Sequence, residues 1–292
     1  MDAPPTNPRA GLIALRKLLA NSDAEGEDHV WLSDSALEQL GTLPLKAQNA
    51  SRRASASLPA PPPPVPTLRE DPPAPTAAKT DSAPASKSAR LDALKAEAEA
   101  SPECRNLGTL RDTMVFAVGN PDAQLMFVGE APGAEEEKQR EPFVGPAGQL
   151  LTKIIQTMGI QRDDVYISNI VKFRPSTGSS SQGTANRAPT AEEMAISLQF
   201  IKAEIEIVEP KLIVALGGSA MTGLLGLDCG VGRARGQTHD CGGRPAIVTY
   251  HPSYLLRSGA ITDKRKLWED MLFAMEQTGL PISDKQRGFF LK

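Results

Sequence analysis

The sequence of 292 residues is poor in cysteine. It has three, Cys104, Cys229 and Cys241, and no two of them stand in a C-x-x-C spacing. So sparse and odd a set excludes a disulfide framework and makes no ready metal site. Aromatic residues are few, at 4%. No apolar run is long enough to span a bilayer. The start, MDAPPTNPRAGL, puts acid and proline where a signal peptide needs a basic start and an apolar core. The expectation is a soluble, cytoplasmic protein without a membrane partner. No G-K-[ST] follows any glycine-rich loop, which excludes a P-loop. Charge of either sign is nearly balanced, with a formal net of -3. Residues 1–90 hold ten Lys/Arg and ten Asp/Glu, so the rest holds 22 basic and 25 acidic residues. That balance speaks against a large non-specific DNA-binding surface and leaves room for a small basic strip.

Proline, by contrast, is abundant and uneven. Ten of the 25 prolines lie between Pro59 and Pro84, in a stretch with almost no residue able to build a core. Residues 46–88 therefore read as an extended Pro/Ala/Ser-rich linker. Ahead of it, residues 1–45 read as a short helical arm. Leu12, Leu15, Leu18 and Leu19 share one helical face, and residues 33–44 look like a capped short helix ended by Gly41. Two readings of this arm stay open: a weakly ordered extension, or a peptide (residues 8–45) that docks on a protein partner or on the core.

From residue 89 to 292 the pattern is that of one α/β domain. Strands are expected at 124–130, 164–170, 211–217 and 245–253, the first a continuous apolar run of the type buried on both faces. Helices alternate with them at 145–159, 190–210 and 261–279, and Thr190 with Glu193 forms a capping-box pair. Such alternation predicts an α/β/α sandwich of three layers around a central, mainly parallel, four-stranded sheet. Ligands of such sheets bind beyond the carboxyl ends of the strands. Four polar residues would meet at that rim: Glu130, Asn169, Ser219 and His251. Each also has a plain reading. A histidine after a strand can be structural, an asparagine there can form a turn, and the adjoining glycines can serve close packing. The acid run Glu135-Glu136-Glu137 has a plain reading as a solvated surface.

Three segments carry a resemblance. GEAPGAEEEKQREPFVGPAGQLL (129–151), SNIVKFRP (168–175) and HPSYLLR (251–257) are similar to the signature segments of the uracil-DNA glycosylase superfamily. The first is most like the family-four, iron–sulfur branch, and the likeness covers about residues 100–278. It implies an enzyme whose partner is uracil-containing DNA, acting as a monomer. Such an enzyme takes the base out of the stack and hydrolyses its N-glycosidic bond. On this resemblance Phe143 would stack the uracil, Asn169 would read its edge, and Gly129 and Ala131 would line the pocket. His251 would stabilise charge on the departing base, and Glu130 would orient or activate water. HPSYLLR would be a DNA-inserting loop, with Leu255 or Leu256 as the wedge and Arg257, Ser253 and Ser219 as further DNA contacts.

The departures from that pattern concern the cofactor. Family-four enzymes hold a [4Fe–4S] cluster on four cysteines. The matching positions here are Pro102, Arg105, Phe173 and, near the helix position, Ser197. One nearby thiol, Cys104, cannot replace four, so the expectation is no cluster, no metal and apolar packing around Phe173. The loop 174–190 is longer than the family pattern, and Arg140 stands where the family often has glycine. The competing reading is a non-catalytic nucleic-acid or nucleotide-binding module derived from the same fold.

Overall fold

The computed structural model describes residues 85–179 and 182–291. The expected N-terminal arm, and the linker up to residue 84, lie outside the described residues. The elements run in the order α1 (Lys87–Ala100), α2 (Pro102–Asn106), β1 (Leu110–Met114), β2 (Val118–Gly119), β3 (Leu125–Gly129), α3 (Ala134–Gln139), α4 (Pro146–Met158), β4 (Tyr166–Asn169) and β5 (Phe173–Pro175). They continue with α5 (Ala191–Val208), β6 (Leu212–Leu216), α6 (Gly218–Leu225), α7 (Val231–Ala234), β7 (Thr238–Cys241), β8 (Arg244–Thr249), α8 (Pro252–Ser258), α9 (Ile261–Thr278) and α10 (Asp284–Arg287).

The four expected strands form the parallel centre of the main sheet, in the order β4-β3-β6-β8. The sheet is wider than expected by one antiparallel strand on each edge. β2 pairs with β4 and β7 with β8. β2 has only two residues, and β7 has an exposed and half-buried face; neither shows the apolar run that marks a buried strand. A separate two-stranded antiparallel sheet joins β1 to β5.

Alternation along the strands explains the three layers, because successive side chains leave opposite faces of a sheet. Met126, Val128, Ile213, Ala215, Ala246 and Val248 point into one apolar layer, with Phe200, Ile201 and Ile205 of α5. Leu125, Phe127, Leu212, Val214 and Ile247 point into the other, with Ile155 of α4 and Leu267, Trp268 and Met271 of α9. All five residues of β3, and all five of β6, are buried. Full burial of a large aliphatic side chain stabilises by about 1.5–3 kcal/mol, so these strands are the most costly to disturb.

Local chemistry sets the helix ends. Pro146 stands at the start of α4, where its missing N–H costs nothing, and Gly159 closes it at φ 90°. The capping box at α5 forms as the spacing predicts: Thr190 Oγ1 accepts from Glu193 N at 3.2 Å, and Glu193 accepts from Thr190 N at 2.7 Å. The segment HPSYLLR differs from its expected loop form. The strand ends at Thr249, His251 caps a helix, and Pro252–Ser258 forms α8. Proline at the first turn and a side-chain acceptor at the cap favour that helix. Among the described residues, no helix is long and apolar enough to cross a membrane.

Candidate active site

β3 and β4 run parallel and in register, so Gly129 and Asn169 end side by side. The chain after β4 folds over that end. Ile170 N donates to Gly129 O at 3.0 Å, and Val171 N donates to Glu130 O at 3.1 Å. Asn169 is only 3% exposed, and its carboxamide oxygen stands at the end of β3 beside Gly129. The carboxamide faces a space shared with the Phe143 ring. A Cβ on Gly129 would overlap both Asn169 Oδ1 and the Phe143 ring edge. Glycine at 129 therefore keeps open a gap between a flat apolar ring and a donor–acceptor pair.

Phe143 is buried and takes a left-handed backbone, φ 56°, a conformation that costs a non-glycine residue about 1–3 kcal/mol. Two features hold it there. Gly148, in the first turns of α4, lies so close that any Cβ would strike the Phe143 backbone. Glu136 accepts from Val144 N at 3.1 Å and Gly145 N at 2.9 Å, tying α3 to the loop. The acid run is thus not a solvated surface. Glu137 pairs with Arg111 and, at 2.9 Å, with Arg174. Arg140 ends α3 at φ 56°, which accounts for the fitness of glycine at such a position.

His251 reaches the site from β8. Its ring centroid is 5.8 Å from that of Phe143. Nδ1 accepts from Ser253 N at 3.2 Å and lies 2.8 Å from Ser253 Oγ. With Nδ1 accepting from the backbone, the proton of a neutral ring sits on Nε2. Burial, and then the charge of Arg257, lower the His251 pKa to about 4. The imidazole is therefore neutral at physiological pH and offers Nε2–H as a donor. Gly217 takes φ 90°, and a Cβ there would crowd His251 Cβ at 3.0 Å.

Glu130 completes the rim. Burial raises its pKa, and a hydrogen bond with Ser219, in the first turn of α6, works against that rise. A carboxyl so placed holds its proton more readily than usual, as a general base near neutral pH requires. Ala131 is half-buried and packs against the apolar layer beside it.

The structure separates the two leucines expected at the DNA surface. Leu255 is 5% exposed and belongs to the core layer beneath α8, so it is no wedge. Leu256 is 51% exposed. The hundred degrees between successive helical residues turns one inward and the next outward. Ser253 Oγ is already engaged, by His251 and by Arg257 Nη1 at 3.2 Å.

One group behind the site carries no sequence signal. Lys172 is 1% exposed, donates to Asn169 O at 2.8 Å and Ser168 Oγ at 2.7 Å, and forms an ion pair with the fully buried Glu204 of α5. Its ammonium also lies 5.5 Å from the Phe116 ring centroid. Burial lowers the Lys172 pKa and Glu204 opposes that. The Tyr166 phenol is raised by burial and by the same carboxylate. A lysine six residues after a strand start and a glutamate inside a helix look alike wherever they fall; only the fold brings them together.

The long loop after β5 is folded back on Arg174, which donates to Asn186 Oδ1, Gly183 O and Ala185 O at 2.9, 2.9 and 2.7 Å. Around the four positions where the resemblance would need cysteines, the residues do not suit a cluster. Phe173 and Cys104 are buried in one apolar layer, and Ser197 is fully buried. Neither Pro102 nor Arg105 offers a thiolate. Among the described residues, no three His, Cys, Asp or Glu side chains are grouped to hold a metal ion.

Comparison with known proteins agrees with this arrangement. The family model of the uracil DNA glycosylase superfamily matches residues 116–272. A type-4 uracil-DNA glycosylase of Thermotoga maritima is 44% identical over 163 residues, covering 55% of this chain and 81% of the relative. One from Archaeoglobus fulgidus is 34% identical over 174 residues, covering 57% and 83%. A type-5 uracil-DNA glycosylase of Pyrobaculum aerophilum is 32% identical over 162 residues, covering 49% and 68%.

Proposed function

The chain belongs to the uracil DNA glycosylase superfamily, and on that footing we propose that it is a DNA-repair hydrolase that removes uracil from DNA and leaves an abasic site. The observation that carries this reading is the buried Asn169 carboxamide set beside the Phe143 ring, with the neutral His251 against that same ring.

In this mechanism the extruded uracil enters the gap above Gly129 and stacks on Phe143. The Asn169 amide donates to O4 and accepts from N3–H. Cytosine, with an amine at C4 and no proton at N3, mismatches both. As the bond between C1′ and N1 breaks, its electron pair goes to the base and negative charge spreads to O2. His251 Nε2–H donates to that oxygen, stabilising charge that develops only in the transition state. Because the ring is neutral, it stabilises uracil as an anion and need not transfer its proton. Glu130 takes a proton from water as the water oxygen bonds to C1′. On the DNA side, Leu256 enters the space the base has left, while Arg257 contacts a phosphate.

The chemistry runs without an iron–sulfur cluster. Support comes from the side chains at the four ligand positions, none of which is a thiolate. Anaerobic purification should yield a colourless protein; visible absorption with about four iron atoms per chain, as a [4Fe–4S] cluster would give, would refute this.

The main test is incubation with uracil-containing oligonucleotides followed by alkali, which breaks the strand at abasic sites. Strand breaks at uracil that vanish in Asn169→Ala and His251→Ala are the expected result. DNA binding with no uracil release under any condition would leave a binding module instead.

A further inference from the structure

α8 presents a second feature that the proposed chemistry does not use. Leu255 faces the core, and the side chains flanking it in the turn, Tyr254 and Leu256, are 38% and 51% exposed. With about 100° between successive residues, Leu256, Ser253, Arg257 and Tyr254 follow one another around the solvent face. Tyr254 thus lies beside Arg257 and about 160° around the helix from Leu256.

The Tyr254 ring is held in place. One face stacks on Tyr250, with centroids 5.0 Å apart and planes 23° from parallel. Tyr250 is backed in turn by the Arg235 guanidinium, 6.0 Å from its centroid, and Arg235 Nε donates to Asp270 at 3.0 Å. Asp263 of α9, whose charge is answered by Lys266 at 3.7 Å, raises the pKa of the Tyr254 hydroxyl. The ring is therefore held by a stack on one side. With the residue still 38% exposed, such fixing is available to a ligand as well as to the fold. For a ligand, it removes the entropy cost of ordering the ring on binding.

We propose that Tyr254 is a shelf on which a base of single-stranded DNA, next to the extruded nucleotide, stacks. This rests on the glycosylase reading. The ligand class follows from the surroundings: a flat π face, with Arg257 and Ser253 beside it to meet a phosphate, fits a nucleotide rather than an aliphatic side chain. Every base has a π face, so the shelf is tolerant of sequence. In a duplex, both faces of a base are already stacked, and the shelf has little to add. In a single strand a face is free.

The test measures fluorescence anisotropy with a labelled, uracil-free oligothymidine, alone and annealed to oligoadenine. Tyr254→Ala should weaken single-strand binding roughly tenfold, the usual scale of losing one base–aromatic stack, and leave duplex binding within about twofold. Tyr254→Phe, which keeps the ring and loses the hydroxyl, should stay within about twofold on both. Three results would overturn the proposal: parental affinity in Tyr254→Ala, an equal loss in Tyr254→Phe, or an equal loss on duplex. Parental uracil release from a uracil-containing version of the same strand is scored separately, so failure of the glycosylase reading and failure of the shelf are told apart.

Discussion

Gly129 and Asn169 end neighbouring strands in register, and the Asn169 carboxamide oxygen occupies the place toward which a Gly129 side chain would point. The absence of one methyl group makes the pocket. Gly129→Ala should leave the sheet intact, since the clash is with two side chains and not with backbone. Overpacking of this kind costs about 1–3 kcal/mol, and the substrate adds its own clash. Uracil excision should fall on the order of a hundredfold, with the melting temperature lowered by several degrees and the fold retained. Parental single-turnover rates in this variant would show that the base does not enter here.

Asn169→Asp should exchange one recognition for another. A carboxylate presents acceptors only, so it repels uracil O4 and suits the exocyclic amine of cytosine. A wrong buried pairing costs roughly 1–3 kcal/mol, which is about ten- to a hundredfold on uracil. His251→Ala should slow both bases alike, because O2 is common to them. Single-turnover rates on matched uracil and cytosine strands separate the two effects. An Asp variant that excises uracil at the parental rate rules Asn169 out as the reader.

The pH dependence should carry the sign of two opposite shifts. Glu130 must be ionised to accept a proton, and burial holds its pKa above 4.5. The excision rate should therefore fall with pH along a limb that lies above 4.5, and Glu130→Gln should remove that limb. His251 binds a proton only near pH 4, against 6.5 when unfolded. It should add no inflection to the rate near 6.5. Its stabilising contribution is complete above 6.5 and is lost as pH falls toward 4, because the unfolded chain takes up the proton first. Urea midpoints should drop across that window in the parental protein and less in His251→Ala. A rate inflection at 6.5 that His251→Ala abolishes would contradict the neutral ring.

Lys172 should act through Asn169 rather than on the substrate. Lys172→Met leaves Glu204 buried without its cation, which costs about 3–5 kcal/mol, so a large drop in urea midpoint is expected. Lys172→Met with Glu204→Leu removes both charges and should recover most of that stability. The double variant still lacks the donor to Asn169 O and Ser168 Oγ. Its excision rate should stay well below parental, with the preference for uracil over cytosine reduced. Full rate and preference in the stable double variant would mean that the strand end is held without this lysine.

Much of the architecture is legible in one dimension because it rests on short-range periodicity. The continuous apolar runs at 125–129 and 212–216 announce strands buried on both faces, and the Thr190–Glu193 spacing announces a helix start. The order of these elements implies parallel strands, and parallel strands put Glu130, Asn169, Ser219 and His251 at one rim. The edge strands escape this kind of reading. β2 and β7 are defined by pairing with partners 49 and nine residues away at Val118–Ile167 and Thr238–Ile247, and neither has an apolar pattern of its own.

The sequence by itself determined which side chains reach the site, since each stands at a strand end and the strands declare themselves. Tertiary structure alone decided what state those side chains are in. It turned Leu255 inward and Leu256 outward, joined Glu136 to the amides before α4, paired Lys172 with Glu204, and withdrew enough water from His251 to keep its ring neutral. The reason is physical. Strand and helix propensities act over a few residues and leave a mark in the order of the chain. Burial, ion pairing and a shifted pKa depend on groups that meet only after the sheet has assembled.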